Sequence, residues 1–331
     1  MQIHRNLAEL PDAARGGAVA IGNFDGVHRG HAALAQRLVE HARECDGPAV
    51  VLTFDPHPVR LLRPEQCPPP LTWTERKAHL LERLGVDHLV AYPTDEALLR
   101  LSARDFFELI VRDALGAKAL VEGPNFYFGH NREGDVRLLA ELANGAGMSL
   151  DVVEPRTTAD GAAGELISSS RIRKMIGEDG DVAGAAKLLT APYRLRGIVT
   201  HGAGRGAKLG FPTANLEGID TLLPAHGVYA GWVRPKTKDV GHAIGPEGAW
   251  PAAINIGPNP TFGEAGAKVE AHLIGRDEAL YGKLLKLDFL ERLRDVRQFD
   301  SVEALTQQVE ADIQAAKQIT DRLTSANPTA S

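Results

Sequence analysis

Cysteine is nearly absent. Cys45 and Cys67 are the only two in 331 residues, and they form neither a metal-type pair nor a disulfide framework. Two small buried or loop thiols in a reducing compartment are the expectation. Aromatic residues make up only 5% of the chain, too few for a platform on which single-stranded nucleic acid stacks. Positive charge is not in excess either. The formal net charge is -6, which excludes the basic footprint of a typical nucleic-acid binder. It leaves ATP binding open, because a phosphate site can be built locally from backbone N–H groups. No run approaches the roughly 20 apolar residues of a membrane span. Residues 1–6 (Met-Gln-Ile-His-Arg-Asn) carry no signal-peptide core. A cytoplasmic protein with no nucleic-acid or membrane partner is expected, as a monomer or weak homo-oligomer.

What is present is ordinary for a globular chain: 44% hydrophobic and 24% charged residues. The length suggests two domains, and there is no internal repeat. In the first half, short apolar runs end in turn residues: Gly17 to Ile21, Ala49 to Phe54, His88 to Tyr92, Ala119 to Glu122 and Leu150 to Val153. Between them, Ala32 to Ala42 and Glu75 to Leu84 have leucines at helical spacing. This alternation predicts a parallel, doubly wound sheet with helices on both faces, with ligands beyond the carboxyl ends of its strands. The second half is crowded with turns. Its short strands (Arg196 to Thr200, Gly227 to Val233, Ala252 to Ile256, Val269 to Ile274, Leu284 to Phe289) predict a small antiparallel barrel. Val182 to Leu189 reads as a helix leading into it. A last helix is expected to begin near Asp300, with Glu303 completing a capping box and Leu305, Val309 and Ile313 forming one stripe. The expected domains are 1–183 and 184–325, with 326–331 a frayed tail.

Residues 22–31 read Gly-Asn-Phe-Asp-Gly-Val-His-Arg-Gly-His. They follow the first strand and open a helix, so His28 and His31 share one face of its first turn. Helix N-termini favour anions, and Gly22, Gly26 and Gly30 let backbone approach a phosphate. Two imidazoles aimed at a triphosphate can donate to oxygens that gain charge in the transition state. A lone histidine would read as a packed structural one; this pair in a glycine-rich turn reads as functional. It resembles the H-x-G-H signature of the nucleotidyltransferase superfamily. Class I tRNA synthetases have a similar motif, but no K-M-S-K-S-like partner follows here.

Residues 167–173 (Ile-Ser-Ser-Ser-Arg-Ile-Arg) are either a plain N-cap with solvated arginines or a phosphate clamp. Gly202 to Asn215 is glycine-rich, yet no register satisfies a P-loop or a Gly-x-Gly-x-x-Gly. A flexible hairpin loop is the plain alternative. Glu270 is either a barrel-rim carboxylate or a base.

Several segments together resemble the bifunctional riboflavin kinase/FMN adenylyltransferase family, the bacterial FAD synthetases. Residues 167–173 resemble its I-S-S-T-x-I-R motif, with Ser170 in the Thr position. Thr53 to Pro58 match F-D-P-H-P, and Gly123 to Gly129 match G-x-[DN]-F-x-F-G, although its aromatics Phe126, Tyr127 and Phe128 could simply be core. Pro212-Thr213-Ala214-Asn215 matches P-T-A-N, Val269 to Leu273 matches V-E-x-H-[LI], Asn255 to Phe262 matches N-I-G-x-x-P-T-F, and Tyr281-Gly282-Lys283 matches Y-G-x. The resemblance implies a Rossmann-like nucleotidyltransferase sheet, then a riboflavin-kinase barrel with a C-terminal helix. Riboflavin, FMN and ATP are the implied substrates, with Mg²⁺.

In the first module the resemblance implies His28, His31 and Arg173 as catalytic, and Gly22, Asn23, Phe24, Asn125, Ser169 and Ser170 as nucleotide-binding. In the second it implies Gly204, Gly206, Lys208, Gly210 and Thr213 around ATP, Thr213 and Asn215 on Mg²⁺, and Glu270 as general base with His272 in support. Arg294 and Phe299 would cover the flavin. Gly275, Val296 and Gln298 depart from the family's acidic residue and its R-x-E-x-K-F segment. Two rivals stay open: an adenylyltransferase with a degenerate kinase barrel, and a non-enzymatic flavin-binding regulator.

Overall fold

The computed structural model describes residues 1–158, 164–235, 245–259, 264–276 and 278–326. Two compact units emerge: Met1–Pro68 with Trp73–Ser168, and Pro69–Thr72 with Ser169–Ser331.

The first unit is built on six parallel strands: β1 (Gln2–His4), β2 (Ala18–Ile21), β3 (Ala49–Phe54), β4 (His88–Tyr92), β5 (Ala119–Glu122) and β6 (Ser149–Val152). Their spatial order is β1-β4-β3-β2-β5-β6. The apolar runs become strands because both sheet faces are covered. Val19, Ile21, Val50, Leu52, Val90 and Leu120 enter one core with Phe106, Ile110 and Leu139. Ala18 and Ala20 alternate to the other face, where helix α1 (Arg29–Glu44) packs on β2, β3 and β5 through Ala35, Leu38 and Ala42. Small residues on β2 let α1 approach closely. The strand order reverses between β2 and β5, with β3 and β4 added on one side of β2 and β5 and β6 on the other, which is the switch point at which such sheets open a ligand crevice.

One strand of this unit is missing from the sequence reading. β1 is three residues long, partly polar, and exists because Gln2 to His4 pair in parallel with His88 to Val90. A lone tripeptide carries no periodicity to detect.

The second unit is a closed barrel of six strands: β7 (Arg194–Thr200), β8 (Ala214–Glu217), β9 (Gly227–Pro235), β10 (Trp250–Asn259), β11 (Glu264–Leu273) and β12 (Leu284–Arg294), ordered β10-β11-β8-β7-β12-β9. Pairing between sequence neighbours is antiparallel. Asp288 pins the wall: buried on β12, it accepts from Arg194 Nη2 at 2.7 Å and from Arg234 Nε at 3.2 Å, on the two flanking strands. β8 was expected only as a motif. It is a strand because β7 and β11 both pair with it.

The last helix runs Val302–Ala326, so Ala326 is helical where a frayed tail was expected; 327–331 lie outside the described residues. Its cap is Ser301, whose hydroxyl accepts Ala304 N–H at 3.1 Å, one residue later than the expected Asp300 box. Ala316 and Ile319 pack against Ala230, Trp232 and Leu290. The expected stripe of Leu305, Val309 and Ile313 faces a cavity instead.

Candidate active sites

In the first unit, β2 ends at Ile21 and the chain turns sharply before α1. Phe24, Gly26 and Val27 all have positive φ, at 47°, 84° and 43°. Val27 is β-branched, and this region is costly for it; full burial of its side chain holds it there. The turn delivers His28 as the N-cap of α1. His28 Nδ1 accepts His31 N–H and His31 Nδ1 accepts His28 N–H, each at 3.3 Å. The rings stack 3.6 Å apart. A Cβ on Gly30 would stand 3.0 Å from the His28 ring, which is the physical reason for glycine between the histidines.

This arrangement fixes chemistry. With both Nδ1 atoms accepting, the neutral rings carry their protons on Nε2. An imidazolium has no acceptor, so protonation would break the cap. Burial pushes His28 down to about 4, partly offset by Asp25. Burial, then His28 and Lys77, hold His31 well below the usual histidine range. Both are therefore neutral Nε2–H donors at neutral pH.

A cleft at the switch point is lined by Gly22, Asn23, Phe24, His28, Gly30, His31, Glu122, Asn125 and Phe126, and extends to Arg156 and Ile167. Asn125 is exposed to it. Phe126 and Phe128 stack on each other at 5.4 Å and pack with the core, so the core-packing alternative holds for them but not for Tyr127, which is exposed. Thr53, in the F-D-P-H-P match, donates its hydroxyl to Asn23 O at 3.2 Å and accepts from Lys77 Nζ at 3.2 Å. His57 caps the short helix Pro58–Leu62. That motif therefore props up the histidine loop. Buried Lys77 and Glu122 escaped the sequence reading, with only the strand-end position of Glu122 as a hint, and Thr53 was quoted in a motif without a role. Ser169, Ser170 and Arg173 open the helix Ser169–Lys174 in the second unit, outside the residues lining this cleft. Arg173 Nε donates to Pro69 O at 3.1 Å.

In the barrel, one row of side chains crosses three strands. Glu270 on β11 pairs with Asn255 on β10 and Asn215 on β8. All three line one cavity, with Thr213, Gly204, Gly206, Lys268 and His272. His272, two residues from Glu270, shares its face, and its Nδ1 lies 2.8 Å from Pro212 O, holding the P-T-A-N segment. Gly206 must be glycine, since a Cβ would meet Phe211 O at 2.5 Å. Gly210 has φ +87° and stands apart from the lining. The Lys208 side chain and residues 260–262 lie outside the described residues.

Arg294 and Phe299 border the same cavity, as do Val296, Arg297, Leu305, Val309 and Ile313. Arg294 grips Asp312 on the last helix with Nε and Nη2, at 3.0 Å and 2.7 Å, so its guanidinium is committed to closing the barrel mouth. Arg297 lies over Phe299, 4.9 Å from the ring centre. Gly275 lies in a turn with φ +74°, and neither it nor Gln298 is among the lining residues, whereas Val296 is. Asn255 and Lys268 are further lining residues that were not singled out.

The chain matches the family model for FAD synthetase over residues 10–171 and that for riboflavin kinase over 189–320. Bifunctional riboflavin kinase/FMN adenylyltransferase of Pseudomonas fluorescens is 35% identical over 318 residues, 96% of this chain and 97% of the relative. Those of Escherichia coli K12 and Bacillus subtilis are 34% and 33% identical, covering 96% and 90% of this chain and 97% and 90% of the relatives. A solved structure from Streptococcus pneumoniae, described as a macrolide-efflux protein, superposes with a TM-score of 0.80 at 30% identity, covering 96% of this chain and 98% of that one. No helix among the described residues of this chain is long and apolar enough to cross a membrane. With both halves matched in order and full-length relatives above 30% identity, the chain belongs to the bifunctional riboflavin kinase/FMN adenylyltransferase family, whose two activities produce FMN and FAD.

Proposed function

We propose that residues 184–325 phosphorylate riboflavin and residues 1–183 adenylylate the resulting FMN, each step consuming one ATP. The observation that carries the reading is the presence of two separate constellations: the mutually capped His28/His31 pair at a parallel-sheet switch point, and the Asn255–Glu270–Asn215 row in the barrel cavity.

In the barrel, Glu270 takes the proton of the ribityl 5′-hydroxyl as its oxygen attacks the γ-phosphorus of ATP, and ADP leaves. Gly204, Gly206 and Thr213, which line the cavity, with Lys208 and Gly210 of the same loop, are assigned to the nucleotide. Thr213 and Asn215 offer hard oxygens side by side on the cavity wall, and among the described residues no three-carboxylate or histidine cluster competes with them. That set fits Mg²⁺, which keeps waters and shares phosphate oxygens; Mg²⁺ would neutralise phosphate charge there. Arg294 and Phe299, with the apolar stripe of the last helix, enclose the flavin.

In the first unit, an FMN phosphate oxygen attacks the α-phosphorus of ATP. The bond to the bridging oxygen breaks and pyrophosphate leaves. The Nε2–H groups of His28 and His31 donate to oxygens gaining charge, an electrostatic role that requires no proton transfer. Gly22, Asn23, Phe24 and Asn125 bind the nucleotide. Ser169, Ser170 and Arg173, which follow Ile167 in the chain, are assigned to the same step. A cytoplasmic monomer or weak homo-oligomer completes the reading.

Labelled ATP tests it. Starting from riboflavin, γ-labelled ATP should mark FMN and the flavin-side phosphate of FAD, while α-labelled ATP marks only the adenylate half. Label from the α position appearing in FMN would contradict the scheme.

A further inference from the structure

The β2–β5 ladder stops early. Only Ala18 and Val19 pair with Ala119 and Leu120. β2 stays paired with β3 as far as Ile21, and β5 with β6 as far as Glu122. The N–H groups of Ala18 and Gly22 point to the β3 side, onto Pro48 O and Leu52 O, so alternation turns that of Ile21 towards β5. It donates there to a side chain, Glu122 Oε1, at 2.6 Å. Glu122 is 2% exposed and borders the cleft, and its own backbone carbonyl accepts Val153 N–H at 2.8 Å.

Among the described residues no cation pairs with the Glu122 carboxyl, and a buried carboxyl without one is unfavourable. Burial pushes Glu122 well above the usual carboxylate range, and the Ile21 N–H only partly offsets this. An aliphatic side chain would fill the same space at less cost but would strand the Ile21 N–H. The carboxyl sits at the end of two methylenes, so it can satisfy that donor across a gap that a β5 backbone carbonyl would have to close. Gly22, the next residue, begins the histidine loop.

We propose that Glu122 is a positioning residue of the adenylyl-transfer cleft: its side chain bridges the splayed carboxyl ends of β2 and β5 and so sets the opening from which the Gly22–His31 loop departs. This rests on the reading of the His28/His31 cleft as the adenylylation site. Glu122 acts here as an acceptor for a backbone donor, without touching the reacting atoms, and its removal therefore lowers turnover more than substrate affinity.

Glu122→Gln and Glu122→Leu, in the full chain, test this against wild type in both assays. Gln keeps an acceptor, and FAD formation from FMN should stay within about threefold of wild type. Leu removes it, and kcat for FAD formation should fall about 10- to 100-fold with a smaller change in KM, while riboflavin phosphorylation is unchanged. A Leu variant with lowered melting temperature but wild-type kcat overturns the proposal. So does a Gln variant as impaired as Leu, and this second outcome decides the matter if Leu does not fold. Wild type that makes FMN but no FAD, or a His28 variant with full FAD formation, would instead contradict the site assignment on which the proposal rests.

Discussion

Gly202 lies directly against Asn215: a Cβ built on Gly202 would stand 2.3 Å from Asn215 Nδ2 and 2.7 Å from its Oδ1. Both atoms belong to a side chain on the wall of the barrel cavity, opposite Glu270. The glycine is there for room, since its contact is with the one amide proposed to hold Mg²⁺.

Gly202→Ala should therefore push Asn215 out of its place. The expected effect is a fall of about tenfold or more in riboflavin phosphorylation, relieved in part by raised Mg²⁺, with FAD formation from FMN unchanged. A Mg²⁺ titration of FMN formation checks it. An alanine variant with the wild-type Mg²⁺ dependence would show that Asn215 is not a ligand.

The histidine pair gives a pH signature. His28 titrates at about 4 in the folded protein and near the ordinary histidine value of about 6.5 when unfolded. Between those values the unfolded chain binds more protons, so stability falls as pH drops from about 6.5 to about 4 and levels off below. His31, also depressed, adds to the slope. Each histidine contributes at most about 1.4 kcal/mol per pH unit. Urea unfolding at several pH values should show this decline. His28→Asn, which keeps a capping side chain, should flatten it. An unchanged slope in that variant would contradict the proton count.

Arg294 and Asp312 join β12 to the last helix through a paired, partly buried contact. Gln308 Nε2 adds a bond to the same carboxylate at 2.8 Å. Asp312→Ala leaves the guanidinium without its partner and loosens the helix stripe of Leu305, Val309 and Ile313 over the cavity. Riboflavin KM should rise about tenfold or more while the KM for FMN in adenylylation stays put. Steady-state kinetics on both substrates separates the two, and a riboflavin KM equal to wild type would remove these residues from the flavin cover.

Much of this was legible in the sequence because the signals were local. The first-half strands are short apolar runs in a sheet covered on both faces, and all five predicted there begin and end within a residue of the observed ones. The histidine loop, the P-T-A-N segment and Glu270 were readable as motifs. What was not legible depended on partners distant in the chain. β1 exists only by pairing with β4. The acceptor role of Glu122 arises where β2 and β5 separate, and Lys77 is buried because Thr53 and the histidine loop lie against it. Periodicity located the stripe of Leu305, Val309 and Ile313 but could not say that a cavity, and not the core, lies opposite. The positive φ of Val27 has no sequence signal at all, since nothing in a valine asks for it.

The central claim is that two separate constellations do two separate reactions, and the most direct measurement is product analysis of Glu270→Gln and His28→Ala beside wild type. Each protein is incubated with ATP and Mg²⁺ and either riboflavin or FMN, and the flavins are separated by chromatography. Glu270→Gln should lose FMN formation by about 10²-fold or more yet convert added FMN to FAD at the wild-type rate. His28→Ala should accumulate FMN from riboflavin and form FAD about 10²-fold more slowly. Either folded variant losing both activities, or losing the one assigned to the other site, would contradict the division of labour.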